Sequence, residues 1–85
     1  MFRRNPEVAW RVYDGEAFML SSGNTLHVLN EIATHIWLYL EDKKGVDDVV
    51  KRVCENFDTD EETARSDVQE LLTEFKNKEL VIEEG

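Results

Sequence analysis

Between Thr25 and Leu40 the chain reads TLHVLNEIATHIWLYL, a short aliphatic and β-branched stretch that stops at Leu29-Asn30 and turns at once into an amphipathic helix. Asn30 is a strong N-cap because its side-chain oxygen can accept from a backbone N–H of the first turn, and Glu31 puts an acid where the helix dipole favours one. Ile32, Ala33, Ile36, Trp37 and Leu40 then recur at helical spacing, giving the helix one apolar face. This junction orders the chain. The residues before it read as strands, and the residues after it as helices.

Upstream, Asn5-Pro6 breaks any preceding structure and leads into an extended segment. Val8 to Tyr13 is aromatic and β-branched enough for a strand. Asp14-Gly15 then supplies the two positive-φ positions of a type I′ hairpin turn, and Glu16 to Leu20 returns as a second strand. Ser21-Ser22-Gly23-Asn24 makes the next turn, and Thr25 to Leu29 a third strand. Downstream, Gly45 separates the first helix from a second, Val46 to Phe57, with Val46, Val49, Val50, Val53 and Phe57 as its stripe. Asp58-Thr59-Asp60 is a helix-start cluster, and Thr59 with Glu62 matches a capping box for a third helix. That helix reaches about Lys78 and buries Ala64, Val68, Leu71, Leu72 and Phe75. Leu80-Val81-Ile82 is an apolar tail that returns to the core or adds an edge pairing. A three-stranded sheet is not stable with both faces wet, so the helices must cover one. The expected architecture is α+β, a three-stranded antiparallel β-meander followed by three helices, winged-helix-like, with residues 1–85 forming one domain.

Charge narrows the functions open to such a fold. The net charge of −9 on 85 residues opposes binding to nucleic-acid phosphates and to anionic membrane surfaces. The third helix sets Arg65, Lys76 and Lys78 against Glu61, Glu62, Asp67, Glu70 and Glu74, the wrong balance for a recognition helix. A winged-helix transcriptional regulator is therefore the runner-up reading. No apolar run approaches the roughly 18 residues of a transmembrane helix, and the two arginines of MFRRNPEVAW are not followed by the apolar core of a signal peptide. Cys54 is the single cysteine and cannot form an internal disulfide. A cytoplasmic protein is expected.

Catalytic chemistry finds no foothold. His27, His35 and Cys54 lack the paired spacing of a zinc site, and they read as surface or half-buried side chains. Cys54 has no basic, electropositive setting to make it a nucleophile. The glycines sit in turns or at the C-terminus, without a phosphate-cradling loop. No catalytic residue, metal or cofactor is expected. What remains is the sheet edge. If strand order follows the chain, Val8–Tyr13 and Thr25–Leu29 are the outer strands, and Thr25-Leu26-His27-Val28-Leu29 carries no proline, glycine or charge to blunt it. Either a helix, the tail or the strand's shortness protects that edge, or a peptide adds to it as a further strand. A third reading is a scaffolding subunit that docks through a Trp10 or Trp37 surface.

The sequence also resembles a known family. Asp14-Gly15-Glu16, Leu26-x-x-Leu29-Asn30-Glu31 and Ile36-Trp37 are similar to the N-terminal half of the PqqD-like proteins. Val46-Asp47-Asp48-Val49-Val50 with Phe57-Asp58, and Asp67-Val68 with Leu71-Leu72, are similar to that family's second and third helices. The resemblance runs from about Pro6 to Val81. It implies a peptide chaperone, also called a RiPP recognition element, that binds the leader of a ribosomally made precursor peptide and presents it to a modifying enzyme, often a radical SAM enzyme. In the family the leader adds to the third strand beside the third helix. Carried over, this places the peptide site on Thr25, Leu26, His27, Val28 and Leu29, and on the helix flank holding Asp67 and Leu71. Members serving pyrroloquinoline quinone synthesis have a Cys-Asp-Gly-like turn after the first helix, where this chain has Leu40-Glu41-Asp42-Lys43-Lys44-Gly45. That departure implies a different modified peptide.

Overall fold

In the computed structural model, which describes residues 1–21 and 23–84, the elements run β1 (Phe2–Arg4), β2 (Ala9–Tyr13), β3 (Glu16–Leu20), β4 (Leu26–Val28), α1 (Glu31–Tyr39), α2 (Val46–Asn56), α3 (Glu61–Asn77) and β5 (Val81–Glu83). Strands β2, β3 and β4 form the expected antiparallel meander in that order. Asp14 and Gly15 hold φ of 53° and 80°, the positive pair that a two-residue I′ turn needs. Of the second expected turn, Ser22 lies outside the described residues. Among its other residues, the Ser21 N–H donates to the Thr25 carbonyl and the Asn24 N–H to the Ser21 carbonyl.

The junction at Asn30 is built as its residues dictate. Asn30 Oδ1 accepts from the Ala33 N–H at 2.8 Å. One turn later the buried Thr34 hydroxyl accepts from the Ala17 N–H at 2.9 Å and donates to the Leu29 carbonyl at 3.3 Å. That single side chain locks the start of β3 and the end of β4 to α1. Trp37, fully buried, sits where the layers meet. Its indole is edge-to-face with Phe75 of α3 at 6.2 Å and with Trp10 of β2 at 5.9 Å. The Arg4 guanidinium lies 4.8 Å from the Trp10 ring and 5.6 Å from the Trp37 ring. Ala17 and Met19 complete the sheet side of the core, and Val49, Val50, Val53, Val68 and Leu72 the helical side.

Asn5-Pro6 does end a preceding element, a strand outside the meander: β1 pairs antiparallel with β5, Phe2 facing Glu83 and Arg4 facing Val81. The apolar tail thus takes an edge pairing, with the other end of the chain. The N-cap of α3 is Asp60, not Thr59, and its carboxylate accepts from the Thr63 N–H at 2.7 Å. An aspartate there adds a full negative charge to the cap bond, which explains its advantage over threonine. Ile32 is exposed on α1 although it falls on the apolar stripe, and Trp37 offers no docking surface because none of it reaches solvent. No helix among the described residues is long and apolar enough to cross a membrane.

Candidate functional site

Hydrogen-bond alternation decides which groups β4 leaves open. Leu29 N–H donates to the Ala17 carbonyl and Ser21 N–H to the Thr25 carbonyl, so the pairs 17/29, 19/27 and 21/25 are the bonded ones in the β3–β4 register. In an antiparallel ladder the intervening residues turn their backbone groups the other way. Leu26 and Val28 therefore point both N–H and C=O away from β3, and β4 is the last strand of its sheet. No other described residue hydrogen-bonds to them. By the same alternation β2 is open at Trp10 and Val12, and the cavity that Trp10 lines is formed with Arg3, Arg4 and the turn after α1 rather than with α3.

The β4 edge runs beside α3. A cavity of about 350 Å³ is lined by Leu26, His27, Val28 and Leu29 from the strand side and by Leu71, Glu74 and Lys78 from the helix. Leu71 also lines a second, more enclosed cavity of about 250 Å³ walled by Ile32 and Ile36 of α1, Val53 of α2, Phe57 just after it, and Val68 of α3, with Asp58 and Asp67 at its mouth. Asp67, Leu71, Glu74 and Lys78 recur at helical spacing and so share a flank of α3. The expected site residues thus fall into two groups. Leu26, His27, Val28, Leu29 and Leu71 come together in the cavity beside the strand, and Leu71 links it to Asp67 in the next. Thr25, just before β4, does not line either cavity.

Strand alternation further divides their roles. His27, opposite the buried Met19, turns inward, whereas Leu26 and Val28, 62% and 52% exposed, turn to the outer face. They bring backbone groups to the cleft, not side chains. On that outer face Leu26 stands opposite the exposed Leu20, and Val28 opposite Phe18. Sequence reasoning missed Ile32, Ile36, Val53 and Phe57 as cleft residues. Ile32 and Leu71 sit at the margins of stripes wider than helix packing alone needs, and that width is the sequence signal for them.

The electrostatics are uneven. Glu74 Oε1 pairs with Lys78 Nζ at 2.7 Å, whereas no described side chain pairs with Asp58 or Asp67. Arg65 is held by Asp47 at 2.7 Å and Glu61 at 3.4 Å, and Lys76 by Glu83 at 2.7 Å. Every cation of α3 is thus engaged with a carboxylate, which leaves the regulator reading without support. A further cavity, about 580 Å³, lies against α2 and α3, touching Asp47, Lys51, Cys54 and Arg65. It borders no sheet edge, and its Arg65 is already neutralised. Burial, reinforced by Arg52 and opposed by Glu31, lowers the His35 pKa. This imidazole packs edge-to-face on Phe57 at 5.3 Å, behind the enclosed cavity.

The family model for coenzyme PQQ synthesis protein D (PqqD) matches residues 16–81 of this chain. Among solved structures, TbiB1 in complex with the TbiA(beta) leader peptide is 25% identical, with a TM-score of 0.88 over 98% of both chains. A lasso peptide synthetase B1 complexed with the leader peptide is 23% identical, with a TM-score of 0.83 over 96% of this chain and 98% of that one. No curated protein matches in sequence.

Proposed function

The chain belongs to the PqqD family, and on that basis we propose that it is a non-enzymatic peptide chaperone, one that binds the leader of a ribosomally made precursor by strand addition and presents it to a modifying enzyme. The observation that carries this reading is the open edge of β4 beside the α3 cleft. Leu26 and Val28 offer two donors and two acceptors to an incoming strand, the requirement for β-augmentation. TbiB1, which shares the fold over nearly its whole length, is named for a leader-peptide complex.

An added strand would inherit the alternation of β4. Side chains beside His27 would enter the cleft and be selected there by Leu71 and its neighbours. Those beside Leu26 and Val28 would lie on the outer face, next to the exposed side chains of Leu20, Leu26 and Val28. The domain would so read one set of peptide side chains and display the other. The resemblance favours a modifying enzyme of the radical SAM class, and the sequence, with no signal-peptide core after its first arginines, favours a cytoplasmic encounter.

The test is an amide-resolved NMR titration with the leader of a short peptide encoded beside this gene. Saturable shifts should concentrate on residues 25–29 and on the Asp67–Lys78 flank of α3. Val28→Pro sharpens the test, because the Val28 N–H points outward and an edge strand tolerates proline there. The variant should keep its fold and bind the leader at least about tenfold more weakly, the loss of one buried backbone hydrogen bond. Unchanged affinity in Val28→Pro would rule out strand addition at β4.

A further inference from the structure

The two cavities along α3 differ in a way that bears on which peptide the cleft accepts. The strand-side cavity carries the mutually neutralised Glu74–Lys78 pair. The enclosed cavity has apolar walls and, at its mouth, the carboxylates of Asp58 and Asp67, for which no described cation serves as partner. Resting on the leader-binding reading above, we propose that the bound peptide seats one bulky apolar side chain in the enclosed cavity and sets an adjacent lysine or arginine against Asp58 and Asp67, so that these two residues determine the charge selectivity of the site.

Dimensions fit this arrangement. From Lys78 to Asp67 the flank of α3 spans about 16 Å at the helical rise of about 1.5 Å per residue, a path that about five residues of extended peptide cover at roughly 3.3 Å each. Strand β4 pairs only three residues, so the segment beyond the paired stretch arrives at the enclosed cavity. Its volume of about 250 Å³ accommodates a leucine, a tyrosine or a phenylalanine. A cation next to that anchor meets two carboxylates at the rim, where opposite charge steers association and rejects acidic competitors. Asp58 follows Phe57, the cavity wall, and Asp67 lies one turn before Leu71, so the charges are placed by the same residues that shape the pocket.

The experiment uses random 12-residue peptides displayed on phage, selected against the immobilised full chain, D58N/D67N, E62Q/E70Q and Val28→Pro. Selection on the wild type should enrich an apolar residue beside a lysine or arginine. D58N/D67N should keep the apolar enrichment and lose the basic one. Individual wild-type binders should weaken about tenfold on this variant at low salt, as expected for rim charges. E62Q/E70Q removes the same charge from exposed positions of α3 that line neither cavity, and it should select as the wild type does. Equal loss of basic residues in both double variants would trace the preference to overall charge and overturn the proposal, as would no loss in D58N/D67N. Both of these outcomes leave the leader-binding reading standing. Enrichment that survives Val28→Pro, or a wild-type pool no richer than the empty support, overturns that reading and this proposal together.

Discussion

Thr34 shows how much can depend on one hydroxyl. It is the one polar residue fully inside the core among the described residues, and it serves both the Ala17 N–H and the Leu29 carbonyl. Thr34→Val keeps the shape and strips both partners of their bond. A loss of about 1–3 kcal/mol is expected for buried groups left unsatisfied, read as a lower urea midpoint, and Thr34→Ser should restore most of it. An unchanged midpoint in Thr34→Val would mean that these backbone groups find other partners. His35 makes a residue-level prediction of a different kind. Its pKa in the folded chain is lowered, so the native state favours the neutral imidazole. That contribution is complete above the unfolded value of about 6.5 and is lost as pH falls through the lower folded value. Urea midpoints at pH 7.5 and 5.5 should therefore differ more for the wild type than for His35→Leu.

At the level of elements, each helix is delimited by an identifiable device. Asp60 caps α3, and the Thr63 backbone N–H, then its hydroxyl, hold the Asp60 carboxyl below its ordinary pKa. Asp48 reaches back to the Gly45 N–H at 3.1 Å to close the first turn of α2. The end of α3 is a Schellman turn: Leu80 N–H bonds to the Phe75 carbonyl at 2.9 Å and Glu79 N–H to the Lys76 carbonyl at 3.0 Å. Leu80 and Phe75 are both buried, as that motif favours. Its left-handed position is Glu79, at φ 60°, where a residue with a Cβ is strained. Glu79→Gly should stabilise the fold by about 0.5–1 kcal/mol, relief of left-handed strain exceeding the added freedom of the unfolded chain. Thermal unfolding of the two proteins side by side measures it, and a lower Tm for the glycine variant would contradict the account.

Across the whole molecule, the pairing of β1 with β5 ties the two ends together. Glu84 joins Arg3 and Lys43, and these bonds, Arg3 first, draw its carboxyl down to about 2. A carboxylate with a depressed folded pKa stabilises above its unfolded value, near 4.5, and that stability disappears as pH falls towards 2. Glu84→Gln should remove part of the acid sensitivity in that window and change little at lower pH. Phe2 anchors the same clasp. It is buried and exchanges both backbone bonds with Lys44, at 2.7 and 2.9 Å. Phe2→Ala should cost about 3 kcal/mol while leaving leader affinity intact at a temperature where the variant is folded, since β1 does not touch the β4 edge.

The elements readable in the residues were those whose information is local. Helix periods, the Asn30 cap and the Asp14-Gly15 turn depend on neighbours a few positions away, so the meander and all three helices could be placed from the residues alone. The β1–β5 pairing could not, because Phe2 and Glu83 are joined through the folded core and three residues carry no period of their own. The site divides in the same way. An unblunted strand edge is visible in Thr25–Leu29, and family resemblance pointed to Asp67 and Leu71. Which backbone groups of that strand face outward depends on register with β3, and a one-residue slip would reverse them. The enclosed cavity is made by the margins of three helical stripes, and its existence depends on how those helices cross. Packing angles of that kind are set by the whole core, which is why the second half of the cleft came into view only with the folded chain.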